Sequence, residues 1–500
     1  MSNLKGKAME IVSKDKFSSG IITALVIAIV MVFNALLYTV VNVFDLRIAY
    51  TEEFDYSLKG NTDHLFEEAI NEGRKIKICF CASELDVKSS KTLGEVYITA
   101  NNFKEKYSSL VELDFVNIIT KKSEVTGEYV NLSKFATNME GQKTSIQKTS
   151  VIFESGKNHR VVSDASFFTF DSNMYITSYN GEEVMASMMS WVLADEHKKA
   201  YFTQHHGESA DPAFANLLAC AGYYVDVVDL RKEKVPDDAS LLVISNPTSD
   251  FEASKDSTVF AEMDRLLAYV ERGGNLFVTL DPYAKTLPIL EGFLASHGIT
   301  LSTTEIASGK RVRNIVKDSE NAITADYFTF VAEYSSNALA NKISDTVKKN
   351  GDGGVMLKDV SAITLSGNAK ALLKTSSDAV LEANGKTVSE KGSYCIAAYS
   401  EYFTESGGKT NIFVVPSIYL TVSDVLIANG YSNKDFTYAL FEQLYGAEGM
   451  PYGCEPLLYG SQTLENLTMG TARIYTTIAL LVPTVILAVG VAVIIRRKYR

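Results

Sequence analysis

The alternation that decides the fold runs through residues 199–230, "KAYFTQHHGESADPAFANLLACAGYYVDVVDL". Two short apolar runs, "KAYFTQ" and "YVDVVDL", have the pattern of strands and flank a segment with helical character. In that segment Asp211 suits the N-cap and Pro212 suits the first helical position. Gly222 suits the left-handed backbone conformation that commonly ends a helix. A strand, a helix and a second strand in this order predict a βαβ unit and a parallel sheet.

The same alternation continues on both sides of this unit. Downstream, "ASLLVISNP" and "LFVTLDP" have the pattern of strands, and the helix-like residues 257–275 lie between them. Upstream, "RKIKICFCAS" and "VELDFVNII" flank another helix-like segment, and "TSVIFESGKNHRVVS" has the pattern of a hairpin. The sequence therefore predicts an α/β fold made of doubly wound, Rossmann-like domains.

Composition indicates a folded protein and excludes several classes. The chain has 500 residues, of which 46% are hydrophobic and 22% are charged, which favours two or three compact units and argues against disorder. A formal net charge of −12 argues against a nucleic-acid partner. The five cysteines are odd in number and lack the spacing of a disulfide framework or a zinc site, so we predict no metal and no cofactor.

Two segments are apolar enough to predict membrane spans. Residues 20–44 contain no charged residue, and residues 474–495 form a second apolar run. Lysines precede the first segment and arginines follow the second, so the positive-inside rule predicts that both termini are cytoplasmic. This pattern predicts a two-pass protein of the cell membrane with an extracytoplasmic main domain. Asn34 and Gly490 are candidates for packing against another membrane helix.

These patterns divide the chain into seven predicted segments. They are a cytoplasmic basic tail (1–19), a transmembrane helix (20–44), an N-terminal α/β domain (45–195), an α/β core (196–300), the C-terminal part of the α/β region (301–472), a second transmembrane helix (473–495) and a second basic tail (496–500).

The candidate site is the loop His205-His206-Gly207-Glu208, which follows a predicted strand. Open α/β sheets bind ligands beyond the carboxyl ends of their strands, and Asn246 and Asp281 follow two further strands. We therefore predict that these six residues contact a ligand or a partner. A structural alternative is that Gly207 allows a tight turn, Glu208 complements a helix N-terminus and the histidines line the sheet edge.

A catalytic role for this loop has less support in the sequence. Neighbouring residues at a strand end point in diverging directions, so two adjacent histidines are poorly placed to bind one metal ion. The chain contains no HExxH motif and no GxSxG elbow, so we predict no catalytic residue. It also contains no phosphate-binding loop, so any ATP hydrolysis must come from another chain.

Several segments together resemble the GldG family of auxiliary components of ABC-type transport systems. The resemblance rests on "YFTQHHGE", "GYYVDVVDL", "ASLLVISNPTSDF" and "LLAYVERGGNLFVTLDP", and later on "IFVVPSIYLTVSDVLIANGYSNKDF". It implies an α/β unit that is similar to glutamine-amidotransferase-like folds without their nucleophile. It also implies a non-catalytic, membrane-anchored subunit beside an ABC permease and a separate cytoplasmic ATP-binding subunit, with an extracytoplasmic domain that binds substrate or surface partners.

Two other functions remain open at this stage. One is an extracytoplasmic metal-dependent hydrolase that uses His205, His206, Glu208 and Asp281. The other is a surface ligand-binding or adhesion module that needs no ABC partner.

Overall fold

The computed structural model describes residues 55–459, except 139–142, 172, 254–260, 352, 406, 427 and 429. The described residues from Tyr56 onward belong to one compact unit. Two sheets dominate this unit, and the larger one carries the candidate site.

The first part of the chain folds around a small sheet. Its elements are a 3-10 helix (Asp63–Leu65), α1 (Glu67–Asn71), β1 (Ile76–Phe80), α2 (Glu84–Ser89), α3 (Lys91–Lys106), β2 (Val111–Asn117), β3 (Lys122–Ser123), a 3-10 helix (Leu132–Phe135), β4 (Ser150–Ser155) and β5 (Asn158–Ser163). The strand order is β3-β2-β1-β4-β5, with β1 parallel to β2 and antiparallel to β4. Helix α3 begins where it does because the Ser90 hydroxyl accepts a hydrogen bond from the Leu93 amide.

The middle part of the chain supplies the parallel strands of the larger sheet. Its elements are a 3-10 helix (Asp164–Phe167), β6 (Phe168–Phe170), β7 (Ile176–Tyr179), α4 (Gly181–Leu193), β8 (Lys199–Thr203), α5 (Pro212–Cys220), β9 (Tyr224–Val228), β10 (Ala239–Ser245), α6 (Glu262–Glu271), β11 (Asn275–Thr279) and α7 (Pro288–Ser296). Strands β9, β8, β10 and β11 lie side by side in that order, and each neighbouring pair is parallel.

Helices cover both faces of these parallel strands. On β10, Leu241 and Val243 belong to the same hydrophobic cluster as Phe214 of α5. The residues between them point the other way, and Leu242 belongs to a second cluster with Leu266 of α6. This alternation explains why β10 reads as an unbroken apolar run, since both of its faces are buried.

The last part of the chain continues the larger sheet. Its elements are β12 (Ile299–Leu301), β13 (Thr303–Glu305), β14 (Arg311–Arg313), β15 (Ile315–Lys317), β16 (Thr329–Tyr334), α8 (Ala338–Asn350), β17 (Val355–Lys358), β18 (Ile363–Leu365), β19 (Lys370–Lys374), β20 (Val380–Ala383), β21 (Lys386–Thr387), β22 (Cys395–Phe403), β23 (Lys409–Val415), α9 (Ser423–Leu426), α10 (Asn433–Tyr445) and β24 (Leu457–Leu458).

Strand β23 joins the two parts of the larger sheet. It runs parallel to β11 and antiparallel to β22, and β19, β16 and β17 follow beyond β22. The predicted α/β class is therefore confirmed, with parallel and antiparallel strands in one sheet. The predicted domain limits 45–195, 196–300 and 301–472 stay predictions.

The predicted membrane location is corrected by the helices of the structure. Within the described part of 55–459, no helix combines the length and the apolar character that a bilayer crossing requires. The longest of these helices, α3, has 16 residues, whereas a span needs about 20. This finding contradicts the two-pass location predicted from the sequence. The two segments behind that prediction, 20–44 and 473–495, and with them Asn34 and Gly490, lie outside the described residues.

Candidate functional site

The loop between β8 and α5 turns sharply at two positions. His205 has a φ of 80° and Gly207 has a φ of 71°, which places both in the left-handed region. A Cβ atom on Gly207 would lie 2.1 Å from the Thr248 hydroxyl oxygen. The backbone amides of Thr248 and Ser249 also donate hydrogen bonds to the His206 carbonyl oxygen, at 2.8 and 2.9 Å. The loop is thus held tightly against the segment that follows β10.

Gly207→Ala is expected to lower the free energy of unfolding by about 1–3 kcal/mol, since alanine tolerates the left-handed conformation poorly. Chemical denaturation measures this loss. Gly309→Ala is the matched control, because Gly309 has a similar φ of 73° but open space around the added Cβ. The control shares the backbone strain without the close contact to Thr248, so it should lose less stability. Equal losses in the two variants would show that the Thr248 contact does not require glycine.

The side chain of His206 is buried between two glutamates. Its Nδ1 lies 3.0 Å from Glu208 Oε1, and its Nε2 lies 3.0 Å from Glu262 Oε2. Only 4% of the side chain is exposed, and its ring stacks on Phe251 with a centroid distance of 4.0 Å. The His206 backbone amide also donates to Glu208 Oε2 at 2.6 Å. We call His206, Glu208 and Glu262 the histidine clamp.

The two carboxylates favour the charged form of His206. Burial alone would lower the pKa of the imidazole, but the hydrogen bonds to Glu208 and Glu262 outweigh it and hold the pKa above its usual value. Burial would raise the pKa of Glu208, yet the hydrogen bond with His206 leaves it below its usual value. Both ring nitrogens are then donors to carboxylates. His206 therefore has no free lone pair for a metal ion and no free position for proton transfer to a ligand.

The histidine clamp should stabilise the fold in a defined pH window. Because the pKa of His206 is raised above 6.5 on folding, its contribution is complete below pH 6.5 and is lost as the pH rises through the folded value. Because the pKa of Glu208 is lowered below 4.5, its contribution is complete above pH 4.5 and is lost as the pH falls through the folded value.

The difference in free energy of unfolding between the natural chain and His206→Leu is therefore expected to be largest between pH 4.5 and pH 6.5. Urea denaturation at a series of pH values measures it. A difference that is constant from acid to alkaline pH would contradict the proposed charges.

Glu262 is the member of the clamp that the sequence did not suggest. It is the first residue of α6, and 56 positions separate it from His206. Its Oε2 also accepts a hydrogen bond from the Glu252 amide at 2.7 Å. Its Oε1 is buried and has no hydrogen-bond partner among the described residues. The sequence signal that could have identified Glu262 is a glutamate at the start of a helix that follows a strand.

His205 points in the other direction and is 43% exposed. Its Nε2 lies 3.4 Å from Asp229 Oδ2. The Asp229 carboxylate is also bound by the Arg231 guanidinium and by the Lys232 ammonium at 2.9 Å. The hydrogen bond from Arg231 holds the pKa of Asp229 far below its usual value, so this carboxylate remains charged. His205 is the histidine that a ligand can reach.

A cleft of about 570 Å³ opens beside this loop, at the carboxyl end of β8 and along the middle of β9. We call it the strand-end cleft. Its lining includes Phe202, His205, Gly207, Glu208, Asp211 and Asp226. Of the six predicted site residues, His205, Gly207 and Glu208 therefore line one cavity.

Asn246 and Asp281 lie outside the lining of the cleft. Asn246 follows β10 with a φ of 51°, and its amide Nδ2 donates to the Ser209 carbonyl oxygen at 3.1 Å. It supports the far side of the 205–208 loop. The Asp281 carboxylate accepts a hydrogen bond from the Tyr283 amide at 2.9 Å. Among the described residues, no hydrogen bond or ion pair joins Asp281 to the histidines, so the structure does not bring the six residues into one site.

The loop that contains Asp281 is fixed by a buried arginine. Arg313 is 1% exposed, and its guanidinium donates to the carbonyl oxygens of Asp281 at 2.5 Å and Ala284 at 3.3 Å. The same guanidinium forms an ion pair of 2.7 Å with Glu291 of α7. Asp281 is thus part of a structural loop that Arg313 ties to α7.

The described side chains do not form a metal centre. Within the part of the chain that the structure covers, no group of three or more His, Cys, Asp or Glu residues is placed to hold a metal ion. The described cysteines at positions 79, 81, 220, 395 and 454 are free thiols. Burial raises the pKa of Cys220 to about 12, so this thiol stays protonated.

Comparisons with known proteins give no family. No family model matches the chain, and no curated protein matches it. The chain is similar to the IFT52 N-terminal domain at 13% identity with a TM-score of 0.36, and the match covers 49% of this chain and 96% of that one. It is similar to PurLQS from Thermotoga maritima at 13% identity with a TM-score of 0.27, over 49% of this chain and 99% of that one.

A cytoplasmic protein from Salmonella typhimurium is also similar, at 11% identity with a TM-score of 0.30, over 49% of this chain and 98% of that one. Identities and scores this low carry no argument about function. The resemblance to the GldG family stays a prediction.

Proposed function

We propose that the protein is a non-catalytic auxiliary subunit of an ABC-type transport system and that its strand-end cleft binds the transported substrate or a partner. The observation that carries this proposal is the histidine clamp, because it commits both nitrogens of His206 to glutamates and leaves His205 as the accessible imidazole. A site built this way can bind a ligand through His205, whereas the buried His206 has no free nitrogen with which to act as a base.

The proposal includes a doubly wound fold similar to glutamine-amidotransferase-like domains. Parallel strands β8 to β11, with α5 and α6 on opposite faces, support it. In such sheets ligands bind beyond the carboxyl ends of the strands, and the strand-end cleft lies at the carboxyl end of β8.

The lining of the cleft indicates the chemistry of its ligand. Asp226 supplies a carboxylate, and Phe202 and Val225 supply apolar surface. Glu208 and Asp211 add negative charge to the lining, although Glu208 already bonds His206 and Asp211 already accepts from the Ala213 and Ser423 amides. Carboxylates next to apolar walls favour a ligand that carries a positive charge or several hydrogen-bond donors on an apolar body. We propose an amine-bearing small molecule or a basic segment of a partner.

The proposal divides the work of transport between this chain and other chains. The chain contains no phosphate-binding loop, so a separate ATP-binding subunit must supply the energy for transport. We propose that this subunit and a permease assemble with the present chain.

Affinity purification of the tagged full chain from its native host, after chemical crosslinking, tests the assembly. We expect a permease and an ATP-binding subunit to be recovered. Recovery of neither would refute the transport proposal. Ala215→Trp fills the cleft from α5, and Asn216→Trp places the same side chain on an exposed neighbour outside the cleft. Only the first variant should lose ligand or partner binding.

Metal analysis separates this proposal from the alternative of a metal-dependent hydrolase. We expect the purified full chain to bind no stoichiometric zinc or manganese after exposure to either ion, because His206 has no nitrogen free for coordination. One equivalent of bound metal that is lost in His206→Leu would favour the hydrolase.

A further inference from the structure

A second cavity lies far along the chain from the strand-end cleft, where α8 ends and α10 begins. It has a volume of about 330 Å³. Its lining includes Gly351, Gly353, Ser432, Lys434, Asp435 and Gly453. We call it the glycine pocket.

The start of α10 presents hydrogen-bond donors that lack acceptors. Ser432 occupies the N-cap position and is 6% exposed, but its side chain does not cap the helix. The Ser432 hydroxyl forms no hydrogen bond with any residue that the structure describes, although it lines the glycine pocket. The backbone amides of Asn433, Lys434 and Asp435 are also without acceptors in the described part of the chain.

The neighbouring side chain that could have capped the helix is committed elsewhere. Asn433 uses its Oδ1 to accept from the Met356 amide at 2.9 Å and its Nδ2 to donate to the Met356 carbonyl oxygen at 2.7 Å. These two hydrogen bonds to Met356 of β17 fix the start of α10 against the sheet. The first turn of the helix is therefore anchored to β17, while its first backbone amides keep no acceptor among the described residues.

Glycine at position 353 keeps the space in front of Ser432 open. A Cβ atom there would lie 2.8 Å from the Ser432 hydroxyl oxygen, 2.9 Å from the Gly430 carbonyl oxygen and 2.9 Å from the Ser432 amide nitrogen. Any side chain at 353 would occupy the place where a ligand could meet this hydroxyl. The backbone beside it is held by a hydrogen bond of 3.0 Å from the Ser432 amide to the Gly354 carbonyl oxygen.

Positive charge comes from Lys434. Its ammonium donates to the Cys454 carbonyl oxygen and lies 3.3 Å from Glu183 Oε2. Burial would lower the pKa of Lys434, but Glu183 and the other acidic neighbours hold it above its usual value, so the ammonium stays charged. Asp435 and Glu455 oppose an anion, and burial raises the pKa of Asp435 to about 6. Asp435 therefore loses its negative charge in mildly acidic solution.

We propose that the glycine pocket binds the oxyanion group of a small molecule, a phosphate or a carboxylate, through the Ser432 hydroxyl, the first amides of α10 and the Lys434 ammonium. Helix N-termini with free amides bind such groups, because the amides and the helix dipole both favour negative charge. The pocket is larger than the anion alone needs, so the anion would be one group of a larger ligand.

Titration of the full chain with sulfate and with acetate, followed by calorimetry or NMR, tests the proposal. Sulfate represents a tetrahedral oxyanion and acetate a planar one, so their relative affinity separates phosphorylated ligands from carboxylates. We expect saturable binding of at least one of them. Sulfate binding should be tighter at pH 5 than at pH 8, because sulfate keeps its charge at both values whereas Asp435 is protonated at pH 5. The other charged groups around Asp435 are Glu183, Glu455 and Lys434.

Two variants make the test specific. Ser432→Ala should weaken binding by roughly tenfold, which is typical for a lost hydrogen bond to a charged group. Gly353→Val should abolish it. Ser361→Ala is the matched control, because the Ser361 hydroxyl is also buried without a partner in the described residues but lies outside the pocket.

Absence of saturable binding of both anions, or equal affinity in Ser432→Ala and the natural chain, would overturn the proposal. Neither result depends on a permease or on the strand-end cleft, so the transport proposal would be unaffected.

Discussion

His206→Leu is expected to lower the free energy of unfolding by about 3–5 kcal/mol, which is typical when one partner of a buried ion pair is removed. The substitution leaves the carboxylates of Glu208 and Glu262 buried without the imidazolium that both of them contact. It also removes the ring that stacks on Phe251. Urea denaturation of the full chain, followed by circular dichroism, measures the loss.

The adjacent histidine provides the control. His205→Leu should cost less than about 1 kcal/mol, because that side chain is 43% exposed and forms one long contact with Asp229. The cause can also be tested directly. Adding Glu208→Gln and Glu262→Gln to His206→Leu should restore part of the stability, because it removes the uncompensated charge. A further loss in the triple variant would show that packing, not charge, is what His206 contributes.

Arg313→Met is expected to have a comparable effect, again about 3–5 kcal/mol. The guanidinium is buried, and its removal leaves Glu291 without its counter-charge. The carbonyl oxygens of Asp281 and Ala284 would also lose their donors, and each buried polar group left without a partner adds to the cost. Thermal or urea unfolding measures the change.

Arg311→Met is the matched control, because Arg311 lies on the same short strand but is exposed. It should change the free energy of unfolding by no more than about 0.5 kcal/mol. Similar effects in the two variants would contradict the view that Arg313 acts through its buried contacts. Hydrogen exchange near residues 281–285 should increase only in Arg313→Met.

Local patterns were sufficient to predict the parallel strands and the start of α5. Asp211 does cap this helix, since its Oδ1 accepts from the Ala213 amide at 2.8 Å, and Pro212 is the first helical residue. The two adjacent histidines also diverge, as alternating side-chain directions require. These features depend on residues that are close in sequence, so a single sequence carries the information.

The contacts that decide the chemistry of the site are not local. Glu262 reaches His206 from the start of another helix, and Arg313 reaches Asp281 from a later strand. No spacing rule connects such pairs, because their distance is set by how the helices cross the sheet. The prediction that Asp281 lies with the histidines failed because it used only the position of Asp281 after a strand. In the structure, the Asp281 loop is bonded to Arg313 instead.

The pairing of β11 with β23 has a consequence for synthesis of the chain. During translation, β11 emerges long before β23. The two strands are far apart in sequence, as the pairing of Phe277 with Phe413 shows. Until then its apolar edge has no partner on that side and can associate with other nascent chains. Closing so distant a contact is also slow, because loop-closure entropy must be overcome first. We therefore expect chains that terminate before β23 to aggregate, and a chaperone that shields this edge to raise the yield of the full-length protein.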